Sequence, residues 1–279
     1  MTDQLKILFA GCGDIAQRAA SRSRHQSFGL RRNPNSLPAE IVPIAADITD
    51  SVKLASVLDL GFDVVVVTLT PGAFTEQAYR ESYLMAAEAL SQAIAATEHR
   101  PQLVIWVSST SVYGNNQGAW VNEDSATAPQ SFSGKLLLQA EQLIAGLPCK
   151  HCIVRFSGIY GPGRTRMLGQ IKAGKGRPAQ PEQWSNRIHS DDCGGVINHI
   201  ISRFAAGEAV DSLYLATDSA PVTQHDLRSW MAEQMGISLT DEQVEQKAVR
   251  RCSNRRLLES GYQFIYPSYR EGYLALMAD

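Results

Sequence analysis

Lys6-Ile7-Leu8-Phe9-Ala10-Gly11-Cys12-Gly13-Asp14-Ile15-Ala16 decides the fold. A mostly apolar run with strand character enters two glycines one residue apart, and a small-residue helical pattern starts at once behind them. A G-x-G-x-x-A turn between a strand and a helix has a physical reading. Gly11 permits the tight turn, Gly13 lets the backbone approach a pyrophosphate, and the small Ala16 keeps helix and strand close. A glycine turn without a ligand would show the same letters. The strand before, the helix after and a second strand on schedule favour the dinucleotide.

That second strand begins near Ser27 and ends at Arg31, followed by Arg32. A domain that takes NAD holds the adenine ribose 2′-hydroxyl with an acid about 20 residues beyond the glycines. A carboxylate there would repel a 2′-phosphate, whereas a guanidinium pairs with it through two charge-assisted hydrogen bonds. Arg31 and Arg32 in that register therefore predict NADP(H) in preference to NAD(H). Asp47, at the end of the third strand, has two readings: a place beside the adenine, or a helix N-cap in Asp47-Ile48-Thr49-Asp50. The expected cofactor residues are Gly11, Cys12, Gly13, Asp14, Ile15, Arg31, Arg32, Asp47 and Thr68, the last at the end of the fourth strand.

Outward from this start, strand-like runs open near Ile41, Asp63, Leu103, His151 and Leu213 and alternate with helix-length segments. That alternation is the signature of βαβ units and an α/β, doubly wound parallel sheet. Continuously apolar strands such as Val64-Val65-Val66-Val67 predict helices on both faces. The longest helical segment runs from about Ala73 to Thr97, and another from about Phe132 to Ala145 stops at Gly146 and Pro148. Gly161-Pro162-Gly163-Arg164 opens a stretch of different texture. Residues 1–161 are thus expected to form the Rossmann domain, its sheet completed by about 188–216, with a smaller substrate lobe from 162–187 and 217–279.

A net charge of −2 gives no general attraction to nucleic acid or acidic lipid. No apolar run approaches the roughly 20 residues that span a bilayer, and the start of the chain lacks the pattern of a signal peptide. Five cysteines, an odd number spread along the chain, fit a reducing compartment, and the cytoplasm is the expected location. Cys149-Lys150-His151-Cys152 precedes a strand and has no second ligand pair, so no metal is expected.

Several further stretches carry a resemblance: Ser108-Ser109-Thr110-Ser111-Val112-Tyr113-Gly114, Lys135 on the next helix, Arg155-Phe156-Ser157-Gly158-Ile159-Tyr160-Gly161-Pro162-Gly163, and Asn186-Arg187-Ile188-His189-Ser190-Asp191-Asp192. With the glycine turn and Ala46-Asp47, they resemble the extended or atypical short-chain dehydrogenase/reductase superfamily, in its NAD-dependent epimerase/dehydratase-like branch. The resemblance implies hydride transfer at a hydroxyl or carbonyl carbon, with a sugar or nucleotide-sugar derivative as the candidate substrate. It assigns Ser109 to the substrate oxygen and Lys135 to the nicotinamide ribose. It also implies a homodimer built on the helices of about 73–97 and of Lys135.

One position departs from the family. Four residues before Lys135, where a tyrosine exchanges the proton, stands Ser131, whose hydroxyl is far harder to ionise. Tyr113 is the nearest replacement in sequence, against a reading as a packed loop tyrosine. Lys135 has its own alternative as a surface lysine, and a non-catalytic NADP(H)-binding redox sensor is the competing function. His189 and Asp191 read first as a structural cap of the following helix. Arg164, Arg166, Arg177, Arg187, Arg250, Arg251, Arg255 and Arg256 could face an anionic substrate or be solvated.

Overall fold

The computed structural model describes residues 4–242 and 250–278; Met1 to Asp3, at the start of the chain, lie outside them. Seven parallel strands form the central sheet: β1 (Lys6–Ala10), β2 (Gln26–Arg31), β3 (Ile41–Ala45), β4 (Val64–Val67), β5 (Leu103–Ser109), β7 (Lys150–Phe156) and β12 (Leu213–Ala216). Their order is β12-β7-β5-β4-β1-β2-β3, so the chain winds outward from β1 in both directions, the doubly wound Rossmann arrangement read from the sequence. The order reverses beside β1, where the loops after β1 and β4 diverge and a crevice opens at the C-terminal strand ends.

The central strands of this sheet need cover on both sides, as Val64 to Val67, all fully or almost fully buried, show. On one face α1 (Asp14–Ala20) and α7 (Ser190–Ala205) enclose Ile7, Phe9, Val64 and Val66 with Ala16, Ile197 and Ile201. On the other, α2 (Ser51–Leu58), α4 (Met85–Ala96) and α5 (Phe132–Ala145) bury Leu8, Val65 and Trp106 under Leu54, Leu90 and Ile144. Each such side chain contributes about 1.5–3 kcal/mol when fully buried. The helix expected from about Ala73 to Thr97 is composite. It starts as α3 (Glu76–Tyr79), passes through a π-helical turn over Arg80–Leu84, and continues as α4.

Four short ladders lie outside the sheet. They are β8 (Gly158–Tyr160) with β11 (Arg187–His189), β6 (Trp120–Val121) with β15 (Arg251–Cys252), β10 (Trp184–Ser185) with β13 (Val222–Thr223), and β9 (Lys175–Gly176) with β14 (Thr240–Asp241). Beside them, α6 (Arg166–Lys172), α8 (Gln224–Met235) and α10 (Tyr269–Ala278) share a separate apolar cluster around Leu168, Ile171, Leu227, Met231 and Tyr273. The short α9 (Arg255–Glu259) packs Leu257 back onto the sheet core. Among the described residues no helix is long and apolar enough to cross a membrane.

Asp218 stands where the last sheet strand enters this second cluster. Its amide donates to the Arg187 carbonyl at 2.7 Å, and its Oδ1 accepts from the Ala220 amide at 3.1 Å. Burial to 1% exposure pushes its carboxyl up to about 7, against the Ala220 amide and the Arg187 charge. An unfolded aspartate ionises near pH 3.9, so between there and about 7 the folded chain holds a proton that the unfolded chain has released. Folding stability from this group is full below the lower value and is lost at about 1.4 kcal/mol per pH unit as pH rises to the upper one. Asp218→Asn should therefore gain stability relative to the parent from pH 4 to 7 in denaturant titrations. A difference that does not change with pH would contradict the assignment.

Candidate dinucleotide site

The crevice at the strand ends is a cleft of about 990 Å³, walled by Gly11, Cys12, Gly13, Arg31, Arg32, Asp47 and Thr68, with Asn33, Gln77, Glu81 and Met85 among its other lining residues. Its floor is the glycine turn. Gly11 has φ +77°, and a Cβ on it would come to 2.5 Å from the Thr68 carbonyl oxygen, so only glycine fits. The turn is tied down on both sides: the Gly11 and Cys12 amides donate to the Leu30 carbonyl, and the Thr68 hydroxyl donates to the Gly11 carbonyl at 2.9 Å. Thr68 thus lines the cleft and also holds the turn in shape. A Cβ on Gly13 would meet only the Gly11 carbonyl oxygen, at 3.8 Å, so the cleft side of that backbone is open.

At the far end stand the two arginines that terminate β2. The Cys12 thiol is pushed up to about 11 by burial, despite the Arg31 charge, and is an inert filler under the turn. Asp47 does not cap α2; Asp50 does, accepting from the Lys53 amide at 2.9 Å. Asp47 instead accepts from the Thr49 amide at 3.0 Å and the Thr49 hydroxyl at 2.8 Å. The amide bond holds its carboxyl below the usual range against partial burial, with the hydroxyl and the Arg32 charge assisting. The π-helical turn brings Glu81 and Ser82 onto the cleft wall, a feature with no sequence signal. Ile15 is buried in the core, and the Asp14 side chain pairs with Arg18 and Arg164.

The residues proposed for chemistry lie around the end of β5. Ser109 is half-buried, and its hydroxyl accepts from the Ser111 amide at 3.2 Å, opening a 3₁₀ turn over Thr110–Val112. Ser131 is the N-cap of α5, its hydroxyl accepting from the Gly134 amide at 3.1 Å. It therefore does not share a helical face with Lys135, because its own backbone is extended, at φ −81° and ψ 152°. Lys135, in the first turns of α5, is exposed; its amide donates to the Ser131 carbonyl at 3.1 Å, and its ammonium makes no hydrogen bond or ion pair among the described residues. Gly134 is the residue that lets α5 begin against the Ser109 turn, since a Cβ there would crowd the Ser111 carbonyl and come to 2.8 Å from Pro129.

Tyr113 is packed in the way its alternative reading describes. It is 2% exposed, its hydroxyl donates to the Asn122 carbonyl at 2.7 Å, and Arg155 donates to it at 2.8 Å. Burial pushes its hydroxyl up to about 12 even with the Arg155 charge beside it. A phenol so committed packs a loop. Arg155 in turn pairs with Glu141 of α5 at 2.6 Å, and Glu141 also accepts from Ser108 at 2.5 Å. This buried network beneath the end of β5 escaped the sequence reading, which had no means to pair residues on different elements.

His189 caps α7, its Nδ1 accepting from the Asp191 amide at 3.2 Å. Cys149 and Cys152 are free thiols, both raised by burial. Most of the arginines in question are clamps. Arg250 donates to the Thr110 carbonyl at 2.8 Å, Arg187 to the Tyr273 hydroxyl at 3.3 Å, and Arg251 lies 5.2 Å from the ring centre of Trp120 and 4.8 Å from that of Trp184.

Comparison with known proteins agrees with this arrangement. Protein YeeZ of Escherichia coli (strain K12) is 35% identical over 189 residues, 66% of this chain; the match spans 60% of that relative's length. A solved structure from Methylobacillus flagellatus, described as a "putative NAD-dependent epimerase/dehydratase", is 37% identical, with a TM-score of 0.83 over 99% of this chain and 98% of the other. A conserved protein of unknown function from Silicibacter pomeroyi DSS is 25% identical, with a TM-score of 0.72 over 99% of both chains. The RmlD substrate binding domain family matches residues 12–257, from within the glycine turn to α9. With that match spanning most of the chain, and the sheet order and glycine turn of a dinucleotide fold, this protein belongs to the RmlD substrate binding domain family, within the epimerase/dehydratase-like branch of the extended short-chain dehydrogenase/reductases.

Proposed function

We propose that this protein binds NADP(H), in preference to NAD(H), and acts as an oxidoreductase or epimerase/dehydratase-like enzyme on a hydroxyl or carbonyl carbon of a sugar or nucleotide-sugar derivative. The observation that carries the reading is the cleft itself: a glycine turn open to a pyrophosphate at one end, and Arg31 with Arg32 on the wall where a 2′-phosphate would lie. The bound nicotinamide would supply hydride chemistry. Lys135, exposed and unpaired among the described residues, is the side chain available to the nicotinamide ribose, and Ser109 the hydroxyl for the substrate oxygen.

One observation favours a second reading, an NADP(H)-binding redox sensor. Carbonyl reduction needs a proton at oxygen, yet the Ser131 hydroxyl caps α5 and the Tyr113 hydroxyl is held by Asn122 and Arg155. The experiment is to titrate purified protein with NADPH and then follow its oxidation with a panel of aldehydes, keto sugars and nucleotide sugars. Saturable binding with oxidation by at least one compound is expected. Because an epimerase or dehydratase returns its hydride and consumes no NADPH, the protein loaded with NADP+ is also incubated with the nucleotide sugars, and the products are analysed for epimers and dehydrated sugars. Binding with neither oxidation nor such products would move the conclusion to the sensor, and absence of binding would overturn both.

A further inference from the structure

Gly161, Pro162, Gly163 and Arg164 form a tight turn at the end of β8. Gly161 and Gly163 have φ of +143° and +76°, and the Arg164 amide donates to the Gly161 carbonyl at 2.9 Å. The turn carries the Arg164 guanidinium across to the glycine turn, where it pairs with Asp14 Oδ2. Asp14 is next in sequence to Gly13, whose backbone lines the cleft. Its other oxygen is held by Arg18 at 2.8 Å, Arg18 also holds Asp191 at 2.6 Å, and Arg22 lies 3.4 Å from the same Asp191 oxygen. Three guanidiniums thus face two carboxylates, which leaves the row one positive charge in excess.

The members of this row are not equivalent. Arg18 is locked: it serves two carboxylates, and α1 and α7 approach so closely there that a Cβ on Gly194 would stand 2.7 Å from the Arg18 Cβ. Arg164 serves one carboxylate, is a third exposed, and comes from a different segment, the turn after β8. A carboxylate beside a pyrophosphate is repulsive unless a cation stands between them, and a guanidinium can pair with either.

We propose that Arg164 is a pyrophosphate-binding residue of the cofactor site, and that Asp14 holds it in the empty state and competes with the dinucleotide for it. On binding, the guanidinium exchanges the carboxylate for a pyrophosphate oxygen. Asp14 keeps Arg18 as its neutralising partner. The inference rests on the dinucleotide reading given above.

The test measures the affinities of the parent, Arg164→Gln, Asp14→Asn and the double variant for NADPH and for adenosine 2′-monophosphate, which keeps the 2′-phosphate and lacks the pyrophosphate. Arg164→Gln should weaken NADPH roughly ten-fold, as expected for one charge-assisted contact, and change the monophosphate less than two-fold. Asp14→Asn should tighten NADPH by roughly three-fold or more by releasing Arg164. In the Arg164→Gln background that gain should fall below two-fold. Unchanged NADPH affinity in Arg164→Gln, equal weakening of both ligands, or an Asp14→Asn gain that persists without Arg164 would each overturn the proposal. A parent protein that binds the monophosphate but not NADPH would overturn it too, and one that binds neither would take the dinucleotide reading down with it.

Discussion

Arg155→Met is expected to lower the stability of the fold by about 3–5 kcal/mol, the usual cost of leaving one member of a buried ion pair without its partner. Glu141 has a side chain only 4% exposed and takes three hydrogen bonds from Arg155, counting both contacts of Nε. Methionine would fill much of the volume and satisfy none of them. The Tyr113 hydroxyl would lose a donor as well, loosening the loop that it ties to Asn122. At about 2–4 °C per kcal/mol for a domain of this size, the melting temperature should fall by about 6–20 °C. Adding Glu141→Leu should recover part of the loss, since a well-packed apolar pair is often no worse than the ion pair it replaces. A midpoint within 1 °C of the parent for Arg155→Met would show that the network does not stabilise the end of β5.

The second large effect is on cofactor choice. The parent should bind NADPH roughly ten-fold or more tightly than NADH, which needs only about 1.4 kcal/mol. Arg31→Asp should abolish or reverse that ratio, because the substitution removes a guanidinium that can pair with a 2′-phosphate and installs a carboxylate that repels it and can hold a 2′-hydroxyl. Arg31 sits at the strand end with no competing side-chain partner among the described residues, so its loss should leave folding nearly unchanged. Equal affinities of the parent for NADPH and NADH would sink the assignment, as would an Arg31→Asp protein that kept the preference.

Both predictions concern residues near the ends of sheet strands, yet only one of them could be singled out from the amino-acid order. The place of Arg31 on the cleft wall was legible because it depends on register: a strand, a glycine turn, a helix and a second strand fix where the twentieth residue or so must fall. The sheet was legible for the same reason. Runs such as Val64 to Val67 need cover on two sides, and parallel strands joined by helices wind in one hand. These are local signals, carried by backbone conformation and by the spacing of apolar residues along one stretch of chain.

The tertiary structure alone decided what the polar residues do. Tyr113 could be an acid or a packed phenol until Arg155, 42 residues away, and Asn122 were seen to occupy its hydroxyl. Ser131 could stand in for an acid four residues before Lys135 until its hydroxyl was seen to cap α5. Arg164 could face an anionic substrate or be solvated until the turn at Gly161 laid it against Asp14, 150 residues earlier in the chain. Hydrogen bonds and ion pairs act over a few ångströms and depend on direction, so their partners are chosen by how separate elements pack. Hydrophobic burial is non-directional and periodic, and its pattern is therefore already written in the order of the residues.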